Sequence, residues 1–263
     1  MLLITSPANE RLKHARRVRD GREPNSIFVE GERLIEECLQ SRLPLSSCFH
    51  SQEPSQRAQA ILNQMAQRGC PSFAVTDAAL AAVSDTVSTQ GLILIAGRPV
   101  MKLDQVLAKP DGKAPFVLCL DAVQDPGNFG TIVRTAEAAG ASGVVALTGC
   151  VDAYAPKTLR SAMGSAFRLP IATGVSPEKL LSKARATGLR VVAAAMEAEV
   201  TYTNFDWEQP TILILGNEAT GISAELLAQC DTRVSIPLRP PVESLNVAAA
   251  AAVLLFEAAK QRA

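Results

Sequence analysis

Three stretches of this 263-residue chain carry polar groups whose types and spacing suit work on a sugar-phosphate. In the first, Asp125-Pro126-Gly127-Asn128-Phe129-Gly130 reads as a loop feeding a helix over about 128–139. Gly130 and Arg134 stand four apart and share a helix face, with Gly127 on the approach to it. Bare backbone beside a guanidinium leaves room for a phosphate or ribose, and the planar five-donor fork suits phosphate oxygens better than a lysine does. The competing assignment is an ion pair of Arg134 with Glu137, three residues on. The second stretch, Gly216-Asn217-Glu218-Ala219-Thr220-Gly221, is a glycine-bounded loop with one carboxylate, Glu218, whose local assignment is to cap a helix starting near Ser223. The third runs from Ile236 to Asn246. Pro237, Pro240 and Pro241 exclude helix and central strand, so it is a rigid loop, and Ser244 stands where it would cap the helical run that follows.

Each stretch follows an apolar run that reads as a buried parallel strand: 116–120, 211–215 and 233–236. Open α/β sheets keep their binding sites at such carboxyl ends. Around them the pattern predicts strands at 143–147, 169–172 and 189–194, and helices at 156–163, 177–187, 223–229 and 244–260. This is an α/β domain with a mostly parallel sheet covered by helices. In the last helix Leu245, Ala248, Ala249, Ala252, Leu255, Phe256 and Ala259 form the expected packing stripe.

The amino-terminal part alternates as a second, smaller α/β domain. Strands are expected at 27–29, 45–50, 72–75 and 92–96, and helices at 31–40, 54–67 and 77–83. A first helix runs from a Ser6-Pro7 start to about Asp20. That helix and its exit hold Arg11, Lys13, His14, Arg16, Arg17, Arg19 and Arg22 against Glu10, Asp20 and Glu23. The patch is either a solvated face or a phosphate-contacting surface, since clustered cations gain from counterion release on RNA. Pro99, Pro110, Asp111, Gly112 and Pro115 mark a linker with a helix at 103–108. The expected domains are therefore 1–98, a linker at 99–115, and 116–263.

The three motifs, in this order and spacing over about 115–263, resemble those of the SpoU (TrmH-type) branch of the SPOUT superfamily. These are RNA ribose 2′-O-methyltransferases that use S-adenosylmethionine. The opening Ile4-Thr5-Ser6-Pro7-Ala8-Asn9 with Phe28-Val29-Glu30-Gly31 is similar, more loosely, to the substrate-binding domain on many SpoU enzymes, which is related to ribosomal and kink-turn-binding proteins. The resemblance implies a deep trefoil knot, which general folding rules do not suggest. It puts Arg134 on the catalytic arginine and Asn128 on the motif-one asparagine. Glu218 falls on the motif-two glutamate near the substrate pocket, and Ser244 and Asn246 on the Ser-Leu-Asn signature. Gly216, Ile236, Leu238 and Leu245 fall in the methyl-donor loops. It also tips Arg11, Lys13, Arg16 and Arg17 toward RNA contact, and implies a homodimer through the carboxy-terminal domain, with ribosomal RNA preferred over tRNA as substrate.

Composition is consistent with that reading. Lys plus Arg equals Asp plus Glu at 26 each, so any RNA contact is local, and aromatic residues make up only 4%, too few for a base-stacking platform. Cys38, Cys48, Cys70, Cys119, Cys150 and Cys230 lack metal-knuckle spacing and read as unpaired core residues of a reducing compartment, with no metal expected. No leader and no apolar run near the roughly 18 residues of a membrane span is seen, so a cytoplasmic protein is expected. A nucleotide-dependent oxidoreductase needs G-x-G-x-x-G after the first strand, which Gly127-Asn128-Phe129-Gly130 does not supply. Gly221-Ile222-Ser223 likewise fails as a P-loop. The remaining alternatives are a tRNA 2′-O-methyltransferase and a non-catalytic RNA-binding protein on the same scaffold, and the intact motifs favour the enzyme.

Overall fold

The computed structural model describes residues 3–87, 89–108 and 114–263. They form two compact units. The first takes residues up to Pro99 together with Tyr154–Phe167, and the second takes Val100–Ala153 and Arg168–Ala263.

In the first unit β1 (Ser26–Glu30), β2 (Leu45–His50), β3 (Ser72–Ala74) and β4 (Leu92–Gly97) make a mixed sheet in the order β1-β4-β2-β3. β4 is antiparallel to both neighbours, and the register sets Phe28 against Ile95 and Phe49 against Ile93 on one face. Helix α1 (Glu10–Arg19) packs Leu12, Ala15 and Val18 into the same core. The periodicity of that stripe explains why the arginines between its members are left outside. α1 does not begin at Ser6-Pro7. Ser6 closes a turn, its carbonyl accepting from Asn9 N at 3.1 Å, and Asn9 is the cap, its side-chain oxygen accepting from Arg11 N at 3.0 Å. Helices α2 (Glu32–Gln40), α3 (Gln56–Gln67, capped by Ser55) and α4 (Asp77–Ala81) complete the expected alternation.

The second unit opens with α5 (Leu103–Val106), a single turn inside the expected linker that buries Leu103 and Val106 in this unit's core. The linker's Pro110, Asp111 and Gly112 lie outside the described residues. Its strands are β5 (Phe116–Leu120), β6 (Gly143–Leu147), β7 (Ile171–Val175), β8 (Arg190–Ala194), β9 (Val200–Thr201), β10 (Thr211–Leu215) and β11 (Thr232–Ser235). They pair in the order β7-β6-β5-β10-β8-β11-β9, every pairing parallel. β5, β6 and β10 are buried throughout, which is why they read as unbroken apolar runs. The sheet grows outward from β5 through β6 on one side and from β10 on the other. The switch point therefore falls between β5 and β10.

The helices that follow are α6 (Pro126–Ala138), α7 (Pro156–Ala162), α8 (Ser165–Arg168), α9 (Pro177–Thr187), α10 (Ala224–Leu227) and α11 (Val247–Gln261), of which α7 and α8 up to Phe167 belong to the first unit and the others to the second. Three expectations are corrected. Asp125–Gly130 is not a loop: Asp125 caps α6 by accepting from Asn128 N at 2.7 Å, and Pro126 sits in the first turn, where its missing N–H costs nothing. Ser244 does not cap α11. Asn246 does, accepting from Ala248 N at 2.9 Å and Ala249 N at 3.4 Å. The buried stripe of α11 is Val247, Ala251, Leu254, Leu255 and Ala258, rotated from the expected one, so Phe256 stands 53% exposed. β9 and α8 were not expected, being too short to carry a period.

The six cysteines are unpaired. Burial pushes the thiols of Cys150 and Cys230 up to about 11 and that of Cys38 up to about 12, so they are not thiolates near neutrality. No helix among the described residues is long and apolar enough to cross a membrane.

The end of α11 is tied down by Arg262. Its guanidinium donates to the carbonyls of Trp207, Ala114 (2.8 Å) and Gln209 (2.6 Å) and lies over the Phe116 ring at 5.0 Å. Phe116 in turn meets the fully buried Trp207 edge-on. Arg262→Ala is expected to lower the unfolding free energy by about 2 kcal/mol, because it strands several carbonyls that a charged donor satisfies. Urea denaturation measures this, and lysine, which lacks the fork, should recover little of the loss.

Candidate active site

The carboxyl ends of β5, β10 and β11 release the three motif stretches, and hydrogen bonds join them. Asn246 uses its side-chain oxygen to cap α11, so its amide nitrogen faces outward and donates to Asn128 Oδ1 at 3.1 Å. That fixes Asn128 with its own nitrogen free, and it donates to Glu218 Oε1 at 2.9 Å. One residue from each motif stretch is therefore held in a single chain of alternating donors and acceptors. Asn128 is half-buried, while Glu218 and Asn246 face solvent.

Glu218 does not cap the following helix. Ser223 N is taken by Asp121 Oδ2 at 3.0 Å, which leaves the Glu218 carboxylate to the inter-loop network. Arg134 projects from α6 into solvent, and among the described residues it has no hydrogen-bond or ion-pair partner. The expected competitor is not formed: Glu137 is gripped in fork fashion by Arg168, Nε to Oε1 at 2.6 Å and Nη2 to Oε2 at 2.9 Å. Gly130, expected as open backbone beside Arg134, is buried; the accessible glycine is Gly127.

The donor-loop positions form a partly apolar surface. Gly216 has to be glycine, since a Cβ there would lie 2.2 Å from the Gly221 carbonyl carbon and 2.3 Å from Ile222 N. Ile236 and Leu238 are half-buried and Leu245 is 39% exposed. Among the described residues the one backbone hydrogen bond within the loop is Val242 N to Arg239 O at 3.2 Å, so there the N–H groups of Leu238 and Leu245 are not spent on other main chain. Apolar walls with open backbone donors suit a purine that is read at its edge. The residues present thus fit an adenosine-containing methyl donor. Ser244 is exposed and makes no hydrogen bond among the described residues. A cleft at the opposite end of β5, lined by residues including Phe116, Ser142, Glu208 and Arg262, offers no comparable chemistry, because Arg262 is already committed to carbonyls.

In the first unit the basic face of α1 is held by local partners. Lys13 pairs with Glu10 and Arg17 with Glu23, each at 2.8 Å, Arg16 donates to Pro7 O at 2.7 Å, and Arg11 stacks over Phe73 at 4.7 Å. Lys13 and Arg17 hold the carboxyls of Glu10 and Glu23 below the usual carboxylate range. Arg11, Lys13 and Arg17 nevertheless remain exposed.

Asp121 and Asn217 were missed by the sequence reading. Asn217 carried a usable signal, since an asparagine opening a tight loop commonly accepts from the N–H groups two and three residues on. Here it accepts from Ala219 N at 2.9 Å and Thr220 N at 3.1 Å. Asp121 carried none, because its partner is 102 residues away.

With this geometry in hand, comparison with known proteins gives a consistent result. Residues 115–256 match the SpoU rRNA methylase family, and residues 9–94 match an MRM3-like substrate binding domain. A 23S rRNA guanosine 2′-O-methyltransferase of Bacillus subtilis is 34% identical over 97% of this chain and 98% of its own. The crystal structure of an AdoMet-bound rRNA methyltransferase from Sinorhizobium meliloti superposes with a TM-score of 0.87 at 28% identity, covering 98% of this chain and 97% of that one. The SpoU methyltransferase AviRb from Streptomyces viridochromogenes, in complex with AdoMet, gives 0.86 at 27% identity, covering 97% and 99%. Matched across its carboxy-terminal motifs and along nearly its whole length, the chain belongs to the SpoU rRNA methylase family.

Proposed function

We propose that this protein transfers a methyl group from S-adenosylmethionine to a ribose 2′-hydroxyl of RNA, with ribosomal RNA as substrate, in the cytoplasm. The observation that carries the reading is the Asn246–Asn128–Glu218 chain at the switch point, with Arg134, exposed and without a partner among the described residues, on the helix that also bears Asn128. The donor, when bound, supplies an electrophilic methyl on a sulfonium. The chain's own residues must hold the ribose in line with it, stabilise charge on the 2′-oxygen and let its proton leave.

Arg134 is the natural group for the charge. Arginine stays protonated in proteins, so it acts as an electrostatic clamp on the adjacent phosphate and the developing alkoxide, while phosphate or water takes the proton. Asn128, Glu218 and Asn246 order the pocket wall, and Ser244 keeps a hydroxyl free for the substrate. Backbone at Gly216, Ile236, Leu238 and Leu245 holds the donor. Ribosomal RNA is favoured over tRNA because the full-length relative from Bacillus subtilis is named for 23S rRNA and because an MRM3-like substrate binding domain precedes the catalytic one. Arg11, Lys13, Arg16 and Arg17 are assigned to RNA contact, and the domain limits 1–98, 99–115 and 116–263 to the corresponding division of labour.

The same reading includes the trefoil knot and a homodimer. α11 packs one face on α6, and Val242 and Phe256 stand 53% exposed with Leu245 on the loop and helix beside it. A second copy is the partner assigned to this apolar strip.

Three outcomes are expected. Calorimetric titration with S-adenosylmethionine gives saturable binding by the wild type and none by Gly216→Trp or Leu245→Arg; a wild type that binds neither with nor without RNA overturns the enzyme assignment. Arg134→Ala lowers methyl transfer to undermethylated ribosomal RNA by about two to three orders of magnitude, and Arg134→Lys recovers little, as measured with labelled donor. Phe256→Glu shifts the protein from dimer to monomer in sedimentation equilibrium.

A further inference from the structure

We propose that Asp121 and Asn217 are positioning residues that clamp the loop after β10 onto the end of β5 and so hold Glu218 and the Gly216 backbone in place; the proposal rests on the reading of those two residues as site residues. β5 ends at Leu120, and Asp121 extends the ladder by one step, its N–H donating to Leu215 O at 2.8 Å. Its side chain then crosses to the far end of the neighbouring loop, where Oδ2 accepts from Ser223 N at 3.0 Å. Ser223 is the cap residue of α10, yet its own hydroxyl makes no capping bond, so the Asp121 carboxylate does that work from another strand. Asp121 is only 8% exposed and no cation pairs with it among the described residues. A carboxylate held this deep without a cation is costly unless a specific hydrogen bond needs it.

Asn217 fastens the near end of the loop. Its Nδ2 donates to Ala122 O at 2.7 Å, and Ala122 has a φ of +52°, an uncommon conformation for alanine. Its Oδ1 accepts from Ala219 N and Thr220 N, and its main chain exchanges hydrogen bonds with Gly221 at 3.0 and 2.9 Å. Residues 217–221 are therefore a closed hoop, pinned at one side through Asn217 to Ala122 and just beyond its other side through Ser223 to Asp121. Glu218 lies on that hoop. An exposed glutamate on an unpinned loop would spread over its rotamers, whereas here its Oε1 is held 2.9 Å from Asn128 Nδ2. The same pins press Gly221 and Ile222 against Gly216, where no Cβ fits.

The test uses the full chain, in vitro transcribed ribosomal RNA free of 2′-O-methylation, and labelled S-adenosylmethionine, with kcat, both KM values and melting temperature recorded. Asp121→Ala is expected to lower kcat at least about tenfold while the KM for RNA stays within about threefold, the split expected when a group acts after substrate capture. Asp121→Asn keeps an oxygen acceptor for Ser223 N and is expected to retain more than about a third of the wild-type kcat. Ser223→Pro removes that N–H at a residue whose φ of −57° accepts proline, and is expected to reproduce Asp121→Ala. Asn217→Ala falls in the same direction. Wild-type kcat within about twofold in both Asp121→Ala and Ser223→Pro overturns the clamp, as does an Asp121→Asn enzyme no better than Asp121→Ala. Should Asp121→Ala fail to fold, Ser223→Pro and Asp121→Asn decide by the same limits. A wild type that transfers no methyl group is the separate failure, that of the functional reading.

Discussion

The cap of α11 orders the site. A helix begins with N–H groups that have no partner inside it, and Asn246 answers two of them with its side-chain oxygen. Having spent its acceptor, the amide can present only donors to the neighbouring first turn of α6. Asn128 must therefore meet it with oxygen, which leaves Asn128 with donors, and the acceptor those find is the Glu218 carboxylate. Reversing any one amide would bring like poles together along the chain. The orientation of three motif stretches thus follows from the need to cap one helix, and helix stability and site order meet at the two ends of one side-chain amide.

Such a chain works only if the loops arrive at fixed separations. β5 and β10 are neighbours in parallel register from Thr211 opposite Phe116 to Leu215 opposite Leu120, and both are fully buried. Their carboxyl ends cannot drift without opening the core. Beyond those ends the main chain is crowded at Gly216, where any side chain would collide with the returning strand of its own loop. Tight crossing and buried strands together fix the edge of the site, and the exposed side chains that no hydrogen bond holds among the described residues are chiefly Arg134 and Ser244.

Much of this was legible from the residues. β5 and β10 declared themselves as apolar runs because both faces of a central parallel strand are covered. The proline-rich third stretch declared itself a loop because proline can join neither ladder nor helix interior. Helix starts were harder. Ser6 and Asn9 are both good caps, as are Ser244 and Asn246, and the choice in each case went to the residue just ahead of the buried stripe, Leu12-Ala15-Val18 or Val247-Ala251-Leu254. Local propensity cannot see that stripe's partner. The same blindness hid Asp121 from view and made Glu137 a plausible mate for Arg134, when its guanidinium partner lies 31 residues on at Arg168. Nor does sequence order reveal that Tyr154–Phe167 clusters with the first unit.

The zero net charge sharpens what RNA binding would demand of this molecule. With no general positive field, attraction has to come from particular cations, and on α1 Lys13 and Arg17 are already paired with Glu10 and Glu23, Arg16 with a carbonyl and Arg11 with the Phe73 ring. Exposed pairs of this kind contribute little to stability, while exchanging them for phosphates also releases counterions from the RNA. The pairs therefore hold long side chains in extended, ordered positions at little thermodynamic expense and yield readily to a stronger anion. Arg134 differs: among the described residues it has no partner to give up. On the proposed reading, α1 supplies exchangeable contacts that tolerate variation in the bound RNA, whereas Arg134 meets the phosphate next to the reacting ribose with its full charge, where a competing carboxylate would weaken the interaction most.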